Sequence, residues 1–173
     1  TSNHDPMAVE NRAVEDGWSA IEAAFAALGR VLLTLDDQFR VRRATHTLDA
    51  WVCPGATERI PGQPIENLLG EGLFGPADTL RIKLEQGSRE EGRRALVQCA
   101  AGQARLASLS AAPLSPDDDG AWARGARYLI VLRPAEEDEL ILESALASRG
   151  IVARSPAMLR ILHLVEVLHR SDA

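Results

Sequence analysis

Between Cys53 and Ile65 this chain cannot sustain a long helix or strand. Pro54-Gly55, Pro61-Gly62 and Pro64 follow one another closely there. Each proline fixes its φ and lacks a backbone N–H, and each glycine favours a turn, so only brief turns and helical pieces fit. Strand-like segments stand on both sides. Upstream, Val31-Leu32-Leu33-Thr34-Leu35, the polar Asp36-Asp37-Gln38 and Phe39-Arg40-Val41-Arg42-Arg43 read as strand, tight turn and strand, with Phe39 and Val41 pointing inward. Downstream, residues 93–100, 104–112 and 127–132 are three further strand candidates. The first two are joined by Ala101-Gly102-Gln103, and an exposed loop rich in Asp and Gly lies between the second and third.

Helices complete the pattern. Trp18, Ile21, Phe25 and Leu28 recur at helical spacing, with Asp16 as a start signal and Gly29 as a stop. This apolar stripe can pack on the rest of the domain or on a second copy, and periodicity does not choose between them. A short helix is predicted from Thr47 to Val52. Another is predicted with Pro76 in its first turn, Leu80 and Leu84 on one face and Gly87 as terminator. The order of helix, two strands, short helices and three strands predicts an α+β fold with a five-stranded antiparallel sheet, short helices on one of its faces, an N-terminal amphipathic helix and C-terminal linker helices.

After Pro134, the acids Glu136-Glu137-Asp138-Glu139 suit the positive end of a helix dipole. A helix is predicted from 135 through Leu140, Leu142, Ala145 and Leu146 to Arg149, ending at Gly150. Ser155-Pro156 then supplies an N-cap and a first-turn proline for a helix bearing Leu159, Leu162 and Val165.

Composition excludes some functions. A net charge of −6 disfavours grip on a nucleic-acid backbone, which needs clustered Lys and Arg. The groups Arg40, Arg42, Arg43 and Arg89, Arg93, Arg94 alternate with apolar residues and read as a solvated sheet face. Cys53 and Cys99 lack the spacing of a zinc site or a thiol-exchange motif, which fits a reduced, cytoplasmic setting. The least polar stretch, Ile21 to Leu35, is broken by Glu22 and Arg30 and is too short to span a bilayer. Thr1 to Pro6 precede Met7 and are compatible with an expression remnant as with native sequence.

Two stretches carry family resemblances. Glu58-Arg59-Ile60-Pro61-Gly62-Gln63-Pro64-Ile65-Glu66-Asn67-Leu68-Leu69, together with the strand order, resembles the middle of a PAS domain over residues 16–134. Gly150-Ile151-Val152-Ala153-Arg154-Ser155-Pro156-Ala157-Met158 and the helix after it resemble the opening of the AAA+ domain of sigma-54-dependent, NtrC-like activators. The resemblance implies an extension at 1–15, a PAS-like sensor at 16–134, a signalling helix at 135–150 and an AAA+ stub at 151–173. No G-x-x-x-x-G-K-[ST] occurs in the chain, so the fragment itself is expected to have no enzymatic activity and no catalytic residues. The implied partners are a second copy in a homodimer, the protein's own AAA+ domain and, through it, sigma-54 RNA polymerase. Direct nucleic-acid or membrane contact by the fragment is not expected.

A cavity in such a fold would be lined by Val41, His46, Trp51, Leu68, Leu80, Leu84, Val97 and Leu106 around a small-molecule ligand, although core packing explains the same residues without one. Dimerisation candidates are Trp18, Ile21, Phe25 and Leu28, with Leu142 and Leu146 on the signalling helix. His46 is a conceivable haem or metal ligand, against a surface or helix-capping role. Haem-binding PAS domains more often take their ligand from the later helix, here 76–86, which has no His. His163 and His169 do not share a helical face. Cys53 lacks the Asn-Cys-Arg motif of flavin-binding LOV domains, and Asp117-Asp118-Asp119 lacks the spacing of a calcium loop. No cofactor or metal is required by the sequence. Competing readings are a redox or gas sensor using haem or flavin, and the PAS input domain of a histidine kinase.

Overall fold

The run Val31–Leu35 is buried along its whole length, as expected of a strand covered on both faces. In the computed structural model, which describes residues 6–75, 77–98, 104–115 and 123–137, this run is β1. Before it lies α1 (Pro6–Ala27), and after it come β2 (Val41–Ala44), α2 (Thr47–Trp51), α3 (Ala56–Arg59), α4 (Glu66–Leu69), α5 (Glu71–Phe74), α6 (Thr79–Glu85), β3 (Glu90–Gln98), β4 (Ala104–Pro113) and β5 (Tyr128–Pro134). The sheet order is β2-β1-β5-β4-β3, and β1 pairs antiparallel with both β2 and β5. The first hairpin and the last three strands therefore meet at the β1–β5 seam. This is the α+β architecture expected from the element order.

The chain divides into a unit spanning Thr1–Arg133 and a second unit spanning Pro134–Ala173. Within the second, only 134–137 are described, and 135–137 are helical. The remainder of the expected signalling helix, with Leu142 and Leu146, and the 151–173 segment with His163 and His169 lie outside the described residues. So do Pro76, Cys99, the Ala101-Gly102-Gln103 link and Asp117-Asp118-Asp119.

Cross-strand register assigns each side chain to a face. Val31, Leu33 and Leu35 point toward α2–α6 and join the core with Ile130, Leu132, Leu109 and Val97. Leu32 and Thr34 point the other way yet are also buried. The Thr34 Oγ1 accepts from the Arg43 N–H at 3.1 Å, and the Thr45 Oγ1 accepts from the Leu32 N–H at 3.0 Å, so these buried hydroxyls are not left unpaired.

The β1–β2 turn is an Asx turn, with the Asp36 Oδ1 accepting from the N–H groups of Gln38 and Arg40 at 2.9 Å each. Phe39 sits in it at φ 59°, a left-handed conformation that side-chain-bearing residues avoid. Burial stabilises it there. The ring is fully enclosed, stacks on Tyr128 at 4.4 Å, meets Phe74 at 6.0 Å, and has the Arg81 guanidinium 4.7 Å from its centre.

Other boundaries shift for identifiable reasons. The first helix runs from Pro6, well before the expected start at Asp16, because proline is well suited to a first helical position and Gly17 is tolerated inside. Helix α6 is capped by Asp78, whose carboxylate accepts from the Leu80 N–H at 2.6 Å. Strand β3 begins at Glu90, not Arg93, because a bulge between those residues places Gly92 at φ 69° and lets pairing with β4 resume beyond it.

Three expectations are corrected. Leu106 pairs with Leu96, so the two share a face. They stand 43% and 53% exposed on the side away from the helices, and Leu106 cannot line an interior cavity. Trp18 is only 8% exposed within a single chain and so is not open to a second copy. His46 has a 71% exposed side chain and does not wall a cavity.

Candidate functional site

The proline and glycine punctuation folds α2, α3 and α4 into a compact corner at one end of the sheet. Gly55 begins α3 at φ 81°, and the Asp49 carboxylate on α2 accepts from both the backbone N–H and the hydroxyl of Thr57 at 2.7 Å each. Those bonds, the backbone one first, hold the Asp49 carboxyl below its ordinary range. Helices α2 and α3 are thereby tied together.

A cleft of about 240 Å³ opens in this corner. Half-buried Val52 and Ile60 line it above the buried Ala56 and Leu68, and Cys53, Arg59, Gln63, Asn67 and Gln98 give it a largely polar surface. The Arg59 guanidinium is fixed by donating from Nε to the Gly55 carbonyl at 3.3 Å and from Nη2 to the Cys53 Sγ at 2.7 Å. Gln63 donates to the Arg59 carbonyl at 2.8 Å, and Asn67 donates to the Gln63 amide oxygen at 3.2 Å. Beside this corner Trp51 lies in the core, with the Arg105 guanidinium 4.0 Å over its ring. A second, wider groove is lined by Pro64, Glu66, Asn67, Glu71, Gly75, Ala77 and Asp78; Glu66 pairs with Arg81 at 3.7 Å and Asp78 with Arg93 at 3.6 Å.

The expected pocket residues divide. Val41, Trp51, Leu68, Leu80, Leu84 and Val97 come together in the core, where Leu48, Ile65, Phe74 and Leu109 fill the space between them. Of these six, Leu68 also reaches the cleft. Arg59, Gln63, Asn67, Gln98 and Arg105 were not singled out from sequence. The spacing of 59, 63 and 67 was visible, but Pro61-Gly62 and Pro64 interrupt it and hide its continuity.

His46 lies at the surface at the start of α2, the role weighed against ligation, and not among the pocket residues where it was also placed. Its Nδ1 lies 2.6 Å from the Glu22 carboxylate of α1, which also accepts from the His46 N–H at 3.2 Å. The imidazole is held above its ordinary value of 6.5, first by that hydrogen bond and then by the charge of Glu22, with smaller help from Asp49 and Glu58 against a small burial cost. Nearby, Glu15 pairs with Arg43 at 2.9 Å, and the Arg43 guanidinium lies 5.0 Å from the centre of the Trp18 ring. Helix α1 is thus clasped to β2 and the start of α2 at three points. Further along it, Ile21 and Phe25 are half-buried and Leu28 is 57% exposed.

Solved structures with this arrangement settle the fold. A domain of a sensory box sensor histidine kinase/response regulator from Geobacter sulfurreducens superposes with a TM-score of 0.52 at 16% identity, covering 68% of this chain and 93% of that one. The PAS domain of an HTR-like protein from Haloarcula marismortui gives 0.52 at 15% identity, covering 71% and 95%. The chain has the PAS fold. A light-oxygen-voltage domain studied with a flavin analogue also superposes on it, with a TM-score of 0.51 at 16% identity over 75% of this chain and 96% of that one. No protein-family model and no curated protein sequence matches the chain. In PAS terms, α2–α6 form the helical side of the domain and α1 is an N-terminal flank. Among the described residues, no helix is long and apolar enough to cross a membrane.

Proposed function

We propose that this chain is the cytoplasmic signal-input module of a sigma-54-dependent transcription activator, a homodimer that governs an attached AAA+ ATPase without catalysing a reaction itself. The observation that carries the sensing role is the joining of two features in one PAS fold. A small cleft lies in the α2–α4 corner, and a flanking helix, α1, is tied to the start of α2 through His46 and Glu22. A change in the corner has a short route to α1, provided the cleft's occupant favours one arrangement of that clasp over another. The link to sigma-54 is supported by the resemblance of residues 150–173, and the dimer by the exposure of Leu28 beside the half-buried Phe25.

The histidine-kinase reading is favoured by one observation, the superposition on a domain of a sensory box sensor histidine kinase/response regulator. It gives no account of Ser155-Pro156-Ala157-Met158. A haem or flavin sensor meets a packing obstacle, since Leu68, Leu80, Leu84, Val97 and Leu109 occupy the space between sheet and helices and would have to be displaced. Native mass spectrometry of the purified chain tests the module directly. It should report twice the 18.7 kDa chain mass. A monomer at high protein concentration would remove the dimer from the proposal, and a retained haem or flavin would replace it with the cofactor reading.

A further inference from the structure

We draw no further inference here: the strongest candidate, the exposed Leu96–Leu106 pair on the face of β3 and β4 turned away from the helices, is an unpartnered apolar patch, and nothing in the structure shows what covers it.

Discussion

Replacing Phe39 by alanine should destabilise the domain by about 3–5 kcal/mol, the usual cost of removing a phenyl ring from a packed core. The ring is fully buried, and its stack on Tyr128 at 4.4 Å and contact with Phe74 at 6.0 Å favour the upper part of that range, since aromatic pairs add about 0.5–1.5 kcal/mol beyond burial. Glycine at the same position separates the ring from the backbone. At φ 59°, alanine retains a left-handed strain of about 1–2 kcal/mol that glycine does not feel. Against this, glycine gives the unfolded chain extra freedom worth about 0.4–1 kcal/mol. Phe39→Gly should therefore be between equal to and roughly 1.5 kcal/mol more stable than Phe39→Ala, the reverse of the order found in ordinary helix or strand positions. Urea titration followed by tryptophan fluorescence measures both. A loss below about 1 kcal/mol for alanine would contradict the packing. A glycine variant clearly less stable than the alanine variant would contradict the backbone argument.

Other consequences follow from facing and charge. Leu96→Lys and Leu106→Lys should each change stability by less than about 0.5 kcal/mol, while Leu109→Ala should cost about 2–5 kcal/mol in the same titration; parity among the three would mean the faces are misassigned. His46 has a folded pKa above its ordinary 6.5, so its pairing with Glu22 contributes fully below that value and fades as pH rises through the folded pKa. Amide exchange near the His46 end of α1 should accordingly quicken over that range beyond the intrinsic rise with pH, and His46→Gln should abolish the excess. An unchanged excess in the variant would show that the His46–Glu22 pair does not hold the helix.

The strand–turn–strand segment, the later strands and the punctuated corner were legible because each depends on local chemistry: alternation, turn residues, and prolines that forbid long elements. What was hidden depended on register. Val97 and Leu106 both read as inward-facing, but pairing sets Leu96 opposite Leu106 and Val97 opposite Arg105, so one of the two leucine and valine assignments had to fail. That same register brings Arg105 over Trp51, which no local signal could announce. The stripe of Trp18, Ile21, Phe25 and Leu28 has one period whether it meets its own sheet or another chain, and only the Arg43 and Glu15 contacts show where Trp18 belongs. The cleft was the least visible feature, since Arg59, Gln63 and Asn67 are ordinary surface residues until the turns between them bring them together.

The input-module account is tested most directly by transcription from a sigma-54-dependent promoter, driven by the protein that carries this chain, with and without residues 16–134. The account predicts that the intact protein's output varies with conditions and that deletion fixes it at one level, high or low. Output that keeps the same response without these residues would contradict it.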